Sequence, residues 1–265
     1  MMRDIIISAI IMGSLGVIFG SLLAFASQKF AVEVDERQAK IRALLPGANC
    51  GGCGFAGCDA YADALVQQTT KLGKCSACTK ENLELIAEIL GQKADASVPC
   101  VAVVRCKGTC DKIIGSNLYE GTMDCRLATR VPGNSPVSCQ FGCIGLGTCV
   151  SVCKFDAISV KDGIAVVDRE KCVGCGTCVA NCPKGVITLI PKTSRVTVKC
   201  QNTHKGLLVK KVCNAGCIGC MLCVKSCPKQ AIFMQENLAV IDTDKCVNCG
   251  ICVQKCPVKV IDKEA

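Results

Sequence analysis

The chain has 265 residues, among them 27 cysteines, with no tryptophan, 3% aromatics and a formal charge of +9. So few aromatic side chains exclude an ordinary apolar core at this length, and an odd cysteine number fits poorly with a fully paired disulfide scaffold. The positive surplus counts every thiol as neutral, so by itself it does not point to nucleic acid.

From Ile5 to Gln28 no side chain is charged. At helical rise this stretch spans about 36 Å, enough to cross a hydrocarbon core of about 30 Å. It is too long for a signal-peptide core, and Arg3 and Asp4 leave its start without a net charge. A retained transmembrane anchor over residues 1–28 is therefore predicted, with Gly16, Gly20 and Ala24 as a small-residue stripe. Residues 29–45 carry Phe30, Val34, Ile41, Leu44 and Leu45 at helical spacing, which predicts a stalk helix ended by Pro46-Gly47.

Next comes Cys50-x2-Cys53-x4-Cys58-x16-Cys75, with glycines that let the backbone wrap closely around a group bound by sulfur. A helix is predicted between Cys58 and Cys75 and another over Lys80–Leu90, whose apolar face is Leu83, Ile86, Ala87 and Leu90 and whose stop is Gly91. These features define a four-cysteine domain over 29–92. A loop-rich connecting segment, 93–138, holds Pro99, Pro132, Pro136 and a β-like run, Val101 to Val104, ahead of Cys106.

Beyond it the chain repeats. Cys139, Cys143, Cys149, Cys153, Cys172, Cys175, Cys178 and Cys182 recur 74 positions later as Cys213, Cys217, Cys223, Cys227, Cys246, Cys249, Cys252 and Cys256. Each unit ends in Cys-x2-Cys-x2-Cys-x3-Cys-Pro, the spacing of bacterial-type [4Fe–4S] ferredoxins, in which the fourth cysteine of a run ligates the other cluster. Two ferredoxin units follow, 139–199 and 200–265, and the whole is an α+β chain. Zinc sites rarely have this spacing.

By the crossed rule Cys217, Cys220, Cys223 and Cys256 hold one cluster, and Cys246, Cys249, Cys252 and Cys227 another. Cys172, Cys175, Cys178 and Cys153 hold a third. In the remaining site Leu146 stands where the repeat has Cys220, leaving Cys143, Cys149 and Cys182. The fourth ligand is then Cys139, unless the site holds three irons or borrows a ligand from elsewhere. With the Cys50–Cys75 site this gives five clusters. Cys106, Cys110 and Cys125, with Cys200 or Cys213, form a sixth if the two units fold against each other. Cys78 and Cys100 are left as bystanders.

Each cluster with its four thiolates carries about −2, so five or six contribute roughly −10 to −12 and offset the basic surplus. Thiols destined for iron must stay reduced, which places the domains after residue 28 in the cytoplasm. The single histidine, His204, is expected to be a solvated loop residue. No G-x-G-x-x-G between strand and helix and no Walker loop is present, so no nucleotide site is expected.

The segment LPGANCGGCGFAGC (45–58) with Cys75, behind an apolar helix and ahead of ferredoxin repeats, resembles the B subunits of Rnf complexes, the bacterial ion-translocating ferredoxin:NAD⁺ oxidoreductases. The duplicated form is similar to the extended clostridial type. The resemblance implies a single-pass subunit of the cell membrane, anchored in the lipid bilayer with its cluster domains on the cytoplasmic side. It would take electrons from soluble ferredoxin and pass them to membrane and flavin-bearing partner subunits, where NAD⁺ reduction drives Na⁺ or H⁺ export. Ferredoxins are acidic, so Lys184, Lys192, Lys199, Lys205, Lys210 and Lys211 are candidate steering charges; nucleic acid is not an expected partner. The alternatives are an iron–sulfur subunit of another membrane oxidoreductase, of formate dehydrogenase or hydrogenase type, and a reducing system for a redox-sensing regulator.

Overall fold

A computed structural model describes residues 2–29, 35–93, 98–115, 119–130 and 136–264. Helix α1 (Met2–Lys29) contains an apolar run, Ile5–Ser27, of 23 residues. Its large side chains, Ile10, Phe19 and Leu23 among them, are exposed. A Cβ built on Gly16 or Gly20 meets nothing within 4 Å, so the small-residue stripe is open. A helix with this much uncovered apolar surface is suited to a bilayer, not to water.

Three helices make the first soluble body. Helix α2 (Glu36–Leu44) starts at Asp35, whose carboxylate accepts the Arg37 N–H, and α3 (Cys58–Val66) follows the glycine-rich loop. Helix α4 (Lys80–Leu90) is capped by Thr79 and stopped by Gly91 at φ 63°, the left-handed conformation glycine tolerates best. Their facing sides bury Ile41, Leu45, Tyr61, Leu65, Leu83 and Ile86. Helix α2 is therefore no free stalk. Ile41 is fully buried, and the Asn82 side chain donates to the Leu44 carbonyl at 2.7 Å. Phe30 and Val34 lie outside the described residues.

The first ferredoxin unit contains β1 (Cys100–Val104), α5 (Cys125–Ala128), α6 (Thr148–Ser151), β2 (Ile158–Lys161), β3 (Ile164–Val167), α7 (Thr177–Ala180) and β4 (Ile187–Pro191). The second contains β5 (Val196–Val198), α8 (Gly206–Val212), α9 (Leu222–Lys225), β6 (Ile232–Gln235), β7 (Leu238–Ile241), α10 (Ile251–Lys255) and β8 (Ile261–Lys263). In each, one antiparallel hairpin joins consecutive strands, β2 with β3 and β6 with β7.

The other ladder uses a strand that precedes the repeat. β1 pairs with β4, Val104 opposite Ile187, and β5 pairs with β8, Val198 opposite Ile261. The units are thus wider than the cysteine repeat. Strand β1, placed by sequence in the connecting segment, completes the first unit. Strand β5, placed by sequence in the first unit, completes the second.

The two units meet along partly buried polar contacts. Arg169 donates across to Glu264 at 2.6 Å, a carboxylate that Lys199 of the second unit also reaches, at 2.5 Å. Lys107 pairs with Asp262 at 2.5 Å, and the Gln201 side chain donates to the carbonyls of Phe141 and Lys184. His204 sits edge-on against Phe141 at 5.0 Å, with its Nε2 2.9 Å from Gln140 Nε2. It lies exposed on its loop, with these contacts seating it on the first unit.

Candidate metal centres

The first set, Cys50, Cys53, Cys58 and Cys75, rings one cavity at the start of α3. Gly51 and Gly54 turn the chain there with φ of 73° and 88°, and Asn49 accepts the Cys58 N–H at 2.8 Å. Burial pushes the Cys75 thiol up, against the pull of the Ala77 and Cys78 amides. Cys175 lines the same cavity, and the Thr177 hydroxyl donates to the Cys50 carbonyl at 3.1 Å. Cys78 lies outside the ring; burial pushes its thiol up to about 11.

Cys175 belongs to the second set. Burial, with Cys175, Cys172 and Cys153 beside it, pushes the Cys178 thiol up to about 12. The amide of Ala102, from β1, donates to Cys172 Sγ at 3.4 Å. Cys100 is turned away, its thiol directed to the Val98 carbonyl.

The third set differs from the sequence reading. Cys143, Cys149 and Cys182 share their cavity with Cys125, not with Cys139. Burial and then the neighbouring Cys125, Cys182 and Cys178 push the Cys149 thiol up to about 11. Helix α5 is fastened over the gap: the buried Thr148 hydroxyl accepts the Cys125 N–H at 2.7 Å and donates to Asp124 at 3.1 Å. Leu146 packs into the same apolar patch as Cys125 and Ile144. The physical reason is the long loop before Cys139, which brings a thiol from outside the repeat to where the repeat lost one.

Cys139 instead lines a fourth cavity with Cys106, Cys200 and Cys213. Cys110 is not among them: it is exposed, and its N–H donates to the Asp162 carbonyl on the β2–β3 turn. In the fifth set Cys223 has Cys217, Cys220 and Cys256 as neighbours, and its thiol is pushed up to about 11, mainly by burial. In the sixth, Cys252 lies beside Cys246 and Cys249, with Cys227 packed against the same core. Cys220 and Cys249 are exposed.

Among the described residues no three His, Cys, Asp or Glu side chains converge on a point one metal ion could occupy. The thiols stand in fours around cavities, the sulfur-only donor set a cubane takes. Buried thiols whose ionisation is this unfavourable become thiolates only with a cation that cancels their charge. Backbone N–H groups already aimed at Cys172, Cys106, Cys200 and Cys227 complete the fit.

Sequence reasoning missed Thr148 and Asn202 altogether, since neither belongs to a cysteine run. The displacement of Cys139 had a signal. Its repeat partner Cys213 has no place in either cluster of its own unit, so Cys139 should have none in the first.

Family models describe residues 45–77 as a putative Fe-S cluster domain, and 138–186 and 216–260 as 4Fe-4S dicluster domains. A second dicluster model spans 164–228, across the junction of the units. The chain is 45% identical to the B subunit of the Na⁺-translocating ferredoxin:NAD⁺ oxidoreductase complex of Acetobacterium woodii, over 92% of this chain and 74% of that one. It is 44% identical to the B subunit of the proton-translocating complex of Clostridium ljungdahlii, over 91% and 85%. It is 41% identical to the B subunit of the ion-translocating oxidoreductase complex of Methanosarcina acetivorans, over 92% and 93%.

Proposed function

The chain belongs to the B-subunit family of Rnf-type ion-translocating ferredoxin:NAD⁺ oxidoreductase complexes, and on that premise we propose that it receives electrons from reduced soluble ferredoxin on the cytoplasmic side of the membrane. It is an iron–sulfur electron-transfer subunit, associated with the membrane and with membrane partner subunits. The flavin-bearing partners would be its acceptors, and α1 its single crossing of the bilayer.

A [4Fe–4S] cluster supplies a one-electron couple whose potential is set by hydrogen bonds to sulfur, nearby charge and exposure. The proposed ligand sets are Cys50, Cys53, Cys58 and Cys75; Cys153, Cys172, Cys175 and Cys178; Cys125, Cys143, Cys149 and Cys182; Cys217, Cys220, Cys223 and Cys256; and Cys227, Cys246, Cys249 and Cys252. These residues hold the groups, bury most of them and aim amide donors at their sulfurs.

The observation that carries the reading is the order of the sets. The four-cysteine domain touches the first unit through Cys175 and Thr177, and within that unit Cys149 neighbours Cys178. The first three sets thus stand in file from the four-cysteine domain into the first ferredoxin unit. Such a file moves electrons along a tether without diffusion between carriers.

The test is rapid mixing of the anaerobic complex with reduced soluble ferredoxin. Bleaching of the iron–sulfur absorption followed by NADH formation is expected, and both should be lost in a complex lacking this chain. NADH formation at an unchanged rate without the chain would refute the assignment.

A further inference from the structure

We propose that Cys106, Cys139, Cys200 and Cys213 hold a further [4Fe–4S] cluster that joins the two ferredoxin units, each unit supplying an equivalent pair of ligands. The proposal extends the electron-transfer reading above, but an iron count tests it without any donor or acceptor.

The equivalence is structural. Cys106 follows Val104 at the end of β1 by two residues, and Cys200 follows Val198 at the end of β5 by two. Val104 lies opposite Ile187 and Val198 opposite Ile261, residues 74 apart in the repeat. Cys139 and Cys213 are themselves 74 apart. One pair of ligands is therefore Cys106 and Cys139, and its counterpart is Cys200 and Cys213. All four line the cavity between the units.

Asn202, on the wall of that cavity, is already committed to sulfur. Asn202 is only 2% exposed. Its side-chain amide donates to Cys139 Sγ at 3.6 Å and its backbone N–H to Cys200 Sγ at 3.4 Å, while its Oδ1 accepts the His204 N–H. A neutral thiol is a weak acceptor, so a buried amide spent on two of them is poorly satisfied; a thiolate held on iron is a strong one. Arg105 lines the same cavity and supplies positive charge beside four thiolates.

The site also stands between its neighbours. The Cys143 N–H, from the third set, donates to Cys106 Sγ at 3.4 Å. The Cys217 N–H, from the fifth, donates to Cys200 Sγ at the same distance. One peptide group thus separates the site from the ligands on either side. Without it, the file of sets is interrupted where the two units meet.

Anaerobically purified full-length chain should carry about 24 irons, read by native mass spectrometry and by iron and acid-labile sulfide analysis. Cys200→Ala and Cys213→Ala should each lose at least one iron of this site, as expected when one of four thiolates is removed, and a chain carrying both should lose about four and keep the rest. Cys110→Ala, at an exposed thiol, should lose none. A count of about 20 in the unaltered chain would overturn the proposal, as would four irons lost from Cys110→Ala. A full iron complement in Cys200→Ala would overturn it as well. Should both interior variants fail to fold, the unaltered chain and Cys110→Ala still decide the matter.

Discussion

The backbone N–H of Cys217 is aimed at Sγ of Cys200, 3.4 Å away. In the first unit the Cys143 N–H makes the same contact with Cys106, again at 3.4 Å. Cys143 and Cys217 are 74 positions apart, but Cys106 and Cys200 are 94 apart. The two contacts are equivalent in space although their acceptors are out of register in sequence. The first unit has gained an insertion between Cys106 and Cys139, 33 positions against the 13 between Cys200 and Cys213.

That insertion carries Cys125. Removing its thiol should leave the third set with three cysteines, because Leu146 cannot bind iron. Cys125→Ala is expected to lose about one iron and to show the EPR signal of an oxidised three-iron cluster. Adding Leu146→Cys to the same chain should restore the fourth iron. An unchanged count and spectrum in Cys125→Ala would place the fourth ligand elsewhere.

Gly52 of the four-cysteine domain lies tightly against Cys175 of the first ferredoxin unit. A Cβ there would intrude on the carbonyl oxygen and Cβ of Cys175. Backbone cannot yield as a side-chain tip can, so Gly52→Ala should weaken the docking by about 1–3 kcal/mol. Hydrogen exchange at Cys175–Thr177 should quicken while the amides of α4 stay as protected as before. Equal exchange at both places would mean the contact contributes nothing.

Glu264 ties the second unit to the first. Burial works against its charge, but the hydrogen bonds and charges of Lys199 and Arg169 outweigh this and hold its carboxyl below the usual value of 4.5. A lowered carboxyl stabilises the folded chain above the unfolded value and ceases to do so as pH falls through the folded one. The contribution is therefore complete at neutral pH, begins to decline near the usual value of 4.5 and is lost as pH falls through the lower folded value. Glu264→Gln should lower stability at pH 7 by about 3 kcal/mol, since it leaves two partly buried cations short of a partner. The difference from the unaltered chain should shrink toward pH 4, as followed by anaerobic thermal melts. A difference that stays constant with pH would rule out the ionic origin.

Iron removal should divide the molecule. Among the described residues the α2–α4 core has nine buried side chains and none is a cysteine, whereas the second ferredoxin unit counts Cys200, Cys217, Cys223, Cys252 and Cys256 among its twelve. Oxidation and chelation should abolish amide protection in residues 136–264 and leave most of it in 36–90, because the thiols form part of the buried core of the former and only flank that of the latter. Hydrogen exchange on the stripped chain checks this; loss of protection in both parts at once would refute it.

Of the six lysines considered for steering, Lys199 and Lys192 are engaged with Glu264 and Glu170, and Lys184 donates to the Gln140 carbonyl. Lys205, Lys210 and Lys211 remain exposed on and beside α8. Reversing the last two, Lys210→Glu with Lys211→Glu, should slow reduction by an acidic ferredoxin about 10-fold at low salt and flatten its dependence on ionic strength. Identical kinetics at every salt concentration would remove these residues from the docking surface.

Much of this was legible in the chain itself. The apolar run and the Lys80–Leu90 helix with its Gly91 stop follow from local spacing. The regular cysteine runs do too, since a metal-ligand motif constrains neighbours in sequence. What local spacing could not carry was every contact made across the fold. The role of Cys125, the displacement of Cys139 to the junction, the seating of α2 in a core and the exchange of β1 and β5 into their units all depend on segments far apart in sequence.

The amino-acid order by itself determined that this chain is an anchored carrier of iron–sulfur clusters, because sulfur spacing and a membrane-length apolar run are local properties of the chain. Only the tertiary structure decided which thiols stand together at the two irregular sites. There the thiols come from an insertion in the first unit and from both halves of a duplication, and only packing across the fold brings them within reach.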